Sequence, residues 1–308
     1  MVRLDAAALA LGACAMIHPL IDKLIRHAPV ITDGAWGTQL QARGLTSGEV
    51  PDLWNLTNPD GVAAVAAAYV AAGSQIILTN TFGANRIRLA EADAADRVKE
   101  INAAGVALSR RAAGDDALVF ASIGPSGKLL VSGDISEDEL TAAFVEQAEA
   151  LAGAKPDGLV IETMQDIQEA AIAIAAAKAT GLPVVATMVF DSGKDLDRTM
   201  MGTTPEQAAA ALARAGADVI GANCGQGIAG FVAICARLKA ASQGLPVWIK
   251  ANAGLPTIVD GKAVYATTAD EFAAQVPAVI AAGAIFIGGC CGTSPDFIRG
   301  LKAVLKRA

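Results

Sequence analysis

Short runs of β-branched and aliphatic residues alternate along this chain with longer Ala-rich stretches whose apolar positions recur every third or fourth residue. Compact apolar runs bounded by Gly, Asp or Pro mark buried strands, and the 3.6-residue repeat marks amphipathic helices. The strands so predicted are Val30-Ile31, Gln75 to Thr79, Val119 to Ile123, Gly158 to Ile161, Val184 to Val189, Val219 to Gly221, Val247 to Lys250 and Ala284 to Ile287. The same pattern predicts helices at roughly 59–72, 87–113, 137–153, 166–180, 205–216, 229–242, 269–282 and 295–306. Asn58-Pro59, Thr204-Pro205 and Ser294-Pro295 each place a capping side chain before a proline at the first helical position. Strands apolar on both faces need cover on both sides. Repeated strand–helix units without a long polar linker predict an α/β chain forming a single (β/α)8 TIM barrel over 29–308, after an N-terminal extension or helix at 1–28.

Composition supports a large core and narrows the partners. The 308 residues are 53% hydrophobic and 18% charged, with aromatics at only 4%, so the core is built mainly from Ala, Val, Ile and Leu. Mean hydropathy is +0.44. With 24 basic and 31 acidic residues the net charge is −7, and no basic stripe is visible, which argues against a nucleic-acid or anionic-membrane surface. The apolar stretch from Ala6 to Ile17 falls short of the ~20 residues a membrane span needs. Arg3 ahead of it resembles a weak export signal. Asp5 interrupts that signal and Met16 offers a second start, so the expectation is an extended N terminus on a cytoplasmic protein.

The cysteines sharpen the picture. There are five, Cys14, Cys224, Cys235, Cys290 and Cys291, an odd number that includes an adjacent pair, which makes a poor disulfide framework. In a barrel, residues just beyond the C-terminal ends of the strands form the active face. Those positions carry Asp33-Gly34, Asn80 to Asn85, Gly124 to Gly127, Glu162-Thr163, Asn223-Cys224-Gly225, Asn252 to Gly254 and Gly288 to Thr293. Strands six and eight flank strand seven, so Cys224 can converge with Cys290 and Cys291. Three thiolates suit Zn²⁺, and with no fourth cysteine or nearby histidine the remaining position stays open, the mark of a catalytic metal. Cys235 and Cys14 read instead as small core fillers. Asp33 reads either as a turn cap or as a ligand-facing carboxylate, and Trp54 either as a pocket wall or as a loop staple. Glu162 at the top of an apolar strand calls for a cationic or metal-site partner, because an unpaired buried carboxylate is costly.

Together DGAWGT from Asp33, TNTFGAN from Thr79, IGPSG from Ile123, IETMQD from Ile161, GANCG from Gly221, NAG from Asn252 and GGCCGT from Gly288 resemble the zinc-dependent homocysteine S-methyltransferase family. Within that family, Asn85 and Arg86 bring the TNTFGAN stretch nearest to the homocysteine-binding module of cobalamin-dependent methionine synthase. The resemblance implies a methyltransferase that makes methionine from homocysteine. It implies Cys224, Cys290 and Cys291 as zinc ligands and Asp33, Gly34 and Glu162 as homocysteine-binding positions, with the carboxylates facing the substrate ammonium. Asn223 and Asn252 fall in matching motifs. A free thiol with pKa ~8.5 is mostly protonated at neutral pH, and zinc binding deprotonates it. The implied donor is either a methylcorrinoid (methylcobalamin) carried by a separate protein or S-methylmethionine. Two alternatives stand beside this reading: a corrinoid-linked methyltransferase with a different substrate or thiol acceptor, and an idle zinc or redox-sensing module.

Overall fold

Short continuous apolar runs fold here into strands whose inward faces fill the centre of a ring and whose outward faces carry helices. The computed structural model describes residues 17–46, 48–259 and 262–306. The strands are β1 (Val30–Ile31), β2 (Ile76–Ile77), β3 (Leu118–Ile123), β4 (Gly158–Met164), β5 (Val184–Met188), β6 (Val219–Gly227), β7 (Val247–Asn252), β8 (Thr257–Val259), β9 (Lys262–Val264) and β10 (Ala284–Gly289). Eight of them pair in the order β1-β10-β7-β6-β5-β4-β3-β2, every registered neighbour parallel, while β8 and β9 form a separate antiparallel hairpin. This is the expected (β/α)8 architecture. At the seam between β1 and β2, Gln75 N donates to Ile31 O at 2.8 Å and Ile31 N donates to the Gln75 side chain at 2.9 Å. Leu78 N donates to Asp33 Oδ2 at 2.7 Å, so a carboxylate takes the place of a ladder carbonyl.

The lower half of the barrel interior is a dry plug. Val30, Leu78, Phe120, Val185, Trp248 and Phe286 pack there, and Ile21, from the helix Pro19–Ile25, joins the same cluster. Trp248 stacks on Phe286 at 5.2 Å between centroids and on Phe120 at 6.4 Å. A second, larger apolar cluster lies between the strands' outer faces and the helices, and Cys235 and Trp54 belong to it. Trp54 is therefore a loop staple. Cys14 lies outside the described residues.

The helices follow the sequence pattern with one break. Asn58, Thr204 and Ser294 cap Pro59–Ala72, Pro205–Ala215 and Pro295–Leu305, with their side chains accepting from Gly61, Gln207 and Asp296 backbone N–H. The single helix expected at 87–113 is instead a short Arg86–Leu89 turn capped by Asn85, two 3-10 turns, and a new helix Val98–Ala113. Asp93 adopts φ 51°, which a right-handed helix does not admit, so favourable Ala, Arg and Glu propensities yield to a turn. The strands β4, β6, β7 and β10 run past their predicted ends. Expectations based on apolar runs stopped where polar inward positions begin, and those positions form the site. Among the described residues no helix is long and apolar enough to cross a membrane.

Candidate metal centre and acceptor pocket

Cys224 sits in the tail of β6, where pairing with β7 slips between Cys224 and Gly227. Its φ is 58°, and Gly225 follows at 61°. A non-glycine residue held in the left-handed region stores strain that the surroundings must sustain, and here the turn aims the thiol into the barrel mouth. Cys290 and Cys291 leave β10 in a turn pinned to β7: Cys290 N donates to Ala251 O at 2.7 Å and Ala253 N donates to Cys291 O at 3.0 Å. Thr293 Oγ1 closes the turn by donating to Cys290 O at 2.7 Å. A Cβ on Gly289 would lie 2.3 Å from Thr293 Oγ1, and one on Gly292, whose φ is +80°, would lie 2.2 Å from the Tyr265 ring. Only glycine on each side lets two consecutive cysteines turn toward one point.

The three sulfurs converge. Cys224 Sγ is 2.9 Å from Cys290 Sγ and 4.0 Å from Cys291 Sγ, and all three ligand atoms lie within 4.8 Å of one another. Sulfurs bound tetrahedrally at ~2.3 Å from one zinc ion stand somewhat under 4 Å apart, so the three thiols suit such an ion once Cys224 and Cys290 separate by about 1 Å, with one position left over. Hydrogen bonds to Cys290 and Cys291 hold the Cys224 thiol well above its usual pKa, whereas hydrogen bonds from Cys224 and Cys290 lower Cys291 to about 3. The three thiols thus share their protons and titrate as one coupled group. Tyr265 adds a hydrogen bond that lowers Cys291 further.

Asn223 ties two strand tails together. Its Oδ1 accepts from Thr163 N at 2.8 Å and Thr187 Oγ1 at 2.6 Å. Its Nδ2 donates to Thr163 Oγ1 at 2.7 Å and approaches the sulfurs of Cys224 and Cys290 at 3.6 and 3.9 Å. Thr163 is itself at φ 65°, where β4 slips against β5. Asn252 lies on β7 beside these residues: Nδ2 donates to Gly225 O at 2.8 Å, and the buried Oδ1 has no partner.

Below the sulfurs lies a buried charge cluster. Asp33 Oδ1 accepts from Lys250 Nζ at 2.5 Å, and the two side chains are 0% and 3% exposed. Asp33 Oδ2 accepts from Trp36 Nε1 at 2.8 Å and Leu78 N at 2.7 Å. Burial works against the Lys250 charge, but Asp33 and Glu162 outweigh it and raise its pKa. Glu162 Oε1 accepts from Ser122 Oγ at 2.5 Å. Burial pushes Glu162 up to about 7 against the pull of Lys250. Gly34 touches none of these groups through a side chain. A Cβ there would meet Thr293 Oγ1 and Tyr69 Oη at 2.7 Å, so this glycine permits the close approach of β1 to the vicinal cysteines.

The structure thus brings together Cys224, Cys290, Cys291 and Asn223, with Asp33 and Glu162 joined electrostatically through Lys250. Sequence reasoning missed Lys250, although a lone lysine two positions from Trp248 and two from Asn252 shares their inward face in a strand. It also missed Ser122 and Tyr265, which lie in no motif, and it placed Thr163 on the rim without giving it a role. Arg86 lies away from the sulfurs, in a surface pair with Glu146 at 2.5 Å.

A barrel with three converging cysteines on its C-terminal rim has the donor set of a metal-binding enzyme. Residues 30–305 match the homocysteine S-methyltransferase family, and the chain belongs to it, as an enzyme of the methyltransferase class. Methionine synthase of Mycobacterium tuberculosis is 30% identical over 305 residues, 93% of this chain and 25% of the relative. The Mycobacterium leprae methionine synthase is 30% identical over 307 residues, 94% of this chain and 25% of that protein. The chain thus spans about a quarter of the length of these relatives. The metallated form of the homocysteine methyltransferase MmuM from Escherichia coli superposes with a TM-score of 0.76 at 26% identity, covering 93% of this chain and 99% of that one. Similarity therefore extends to a protein of comparable length as well as to the long methionine synthases.

Proposed function

We propose that this protein transfers a methyl group to the thiol of homocysteine, giving methionine, with zinc held by Cys224, Cys290 and Cys291. The observation that carries the reading is the convergence of three sulfurs from β6 and β10 with one coordination position to spare. Zinc, when bound, lowers the pKa of an acceptor thiol so that its sulfur is presented as a thiolate at neutral pH. The chain's own residues do the rest. Asn223 and the pinned turn at Cys290-Cys291 fix the sulfurs before substrate arrives, so orientation costs little at the moment of transfer. Asp33, Gly34, Glu162, Asn223 and Asn252 frame the acceptor pocket, and Glu162 offers a carboxylate oxygen to the acceptor's ammonium.

The donor we favour is a methyl group carried by a corrinoid protein, with S-methylmethionine as the small-molecule alternative. The exposed large apolar side chains among the described residues stand on loops leaving the C-terminal ends of strands: Phe82 after β2, Val131 after β3, Met200 and Met201 after β5, Leu255 and the β8–β9 hairpin after β7. Apolar side chains exposed on several loops of one rim suit a macromolecular partner better than a freely diffusing sulfonium.

Zinc-edge absorption of the zinc-loaded protein tests the acceptor. Homocysteine should raise the sulfur coordination from three to four. A spectrum that stays at three with homocysteine in excess would remove homocysteine as the acceptor.

A further inference from the structure

We infer that Lys250 is a specificity-determining residue: by occupying Asp33 with the chain's own ammonium, it leaves Glu162 as the single carboxylate that reads the acceptor's amino group. The pocket therefore tolerates thiols of homocysteine's shape that lack that group. The inference rests on the thiol-acceptor reading above.

A carboxylate offers about four lone-pair sites. Asp33 has filled three from within: Lys250 Nζ at 2.5 Å, Trp36 Nε1 at 2.8 Å and Leu78 N at 2.7 Å. One of those donors is a full cation, and both members of the pair are shut away from solvent. A second ammonium brought to Asp33 would lie against Lys250, and like charges at contact distance in a low-dielectric interior repel strongly. Moving Asp33 instead would break its bond to Leu78, which helps to close the seam between β1 and β2. Asp33 is thus committed to the fold.

Glu162 is differently placed. Only its Oε1 is bonded among the described residues, to Ser122 Oγ at 2.5 Å, and the residue keeps 9% of its surface exposed at the mouth while Asp33 keeps none. Its second oxygen is available to a ligand. Lys250 sits close enough to both carboxylates that each contributes to raising its pKa. The cation therefore neutralises one negative charge of the pair, and an arrangement that would demand an ammonium becomes one that merely accepts it. A buried site built wholly around a substrate's polar group rejects the analogue lacking it by about 10⁴-fold or more. Here the discrimination falls to one hydrogen-bonding oxygen.

The test compares homocysteine with 4-mercaptobutanoate, its analogue without the amino group, on zinc-loaded protein by calorimetry, with zinc-edge absorption reporting whether each thiol adds a sulfur. The wild-type affinity ratio should lie below about 100-fold, far under the rejection typical of a dedicated polar site. Lys250→Met frees Asp33 and should raise that ratio by about tenfold or more, a factor of ten being the ~1.4 kcal/mol of one charge–charge contact. A wild-type ratio above about 100-fold overturns the inference without need of any variant, and so does an unchanged ratio in Lys250→Met protein that still folds and binds zinc. If homocysteine adds no sulfur to zinc, the acceptor reading falls and this inference with it. If homocysteine binds and the ratio is large, only the inference falls.

Discussion

Trp248 and Lys250 stand two residues apart on the same inward face of one strand, and they belong to different worlds. Trp248 is wholly buried among Phe120, Phe286 and the aliphatic plug. Lys250 is just as buried, but lies against Asp33 with Glu162 and Cys290 close enough to influence its charge. Successive inward residues of a strand are spaced by only ~7 Å. Within that step the barrel interior changes from a region that stabilises the fold by excluding water to one where charge is buried and held by specific partners. The two halves should therefore fail differently.

The largest divergence is expected at the sulfurs. Cys224→Ser should abolish zinc retention and methyl transfer while leaving the unfolding midpoint of the metal-free protein nearly unchanged, because a partly exposed ligand adds little to the core. Metal analysis after desalting, beside thermal unfolding, checks this. Full zinc occupancy with unchanged turnover would sink the assignment. Trp248→Ala should do the reverse. Deleting so large a buried ring costs about 3–5 kcal/mol, and surviving folded protein should still bind zinc through three sulfurs. Urea unfolding together with the zinc-edge spectrum separates the two effects, and loss of metal at full folding would show that the plug and the site are not independent.

Glu162→Gln gives the subtlest contrast. Burial raises the folded-state pKa of Glu162 to about 7. Its ionised form, the one the proposed function assigns to the ammonium, therefore accumulates as pH rises through about 7, and homocysteine affinity should rise with it. The same shift makes Glu162 subtract stability as pH climbs from its ordinary range toward 7, because the unfolded chain releases the proton first. In Glu162→Gln, homocysteine affinity should fall by about tenfold, as for one hydrogen bond to a charged group, and the component of its pH profile near 7 should vanish while zinc affinity holds. Equal loss of zinc and homocysteine would make Glu162 a structural group.

The lower half of this contrast was legible from sequence and much of the upper half was not. Alternation of apolar runs with Ala-rich helical stretches located all eight barrel strands, because burial on both faces dictates the residue types. The three cysteines could be brought together across strand seven by barrel closure alone. Strand ends were less legible: β4 and β6 continue through Glu162 and Asn223, polar residues that an apolar-run criterion treats as loop. The left-handed turns at Thr163 and Cys224 leave no trace in composition, since neither residue type favours that conformation and it persists only through tertiary contacts such as Asn223. Lys250 was overlooked because a single lysine in an apolar strand resembles a surface residue until its partner, far away in sequence, is known.

Asp33 carries a consequence that reaches beyond ligand recognition. One of its oxygens holds Lys250, and the other receives the amide of Leu78 across the place where the first and second strands meet without a regular ladder. The ring of strands is thus stitched shut by the same carboxylate that anchors the pocket's cation. Parting those two strands would cost Asp33 its Leu78 partner, so the closure of the ring and the seating of the buried lysine rest on one side chain.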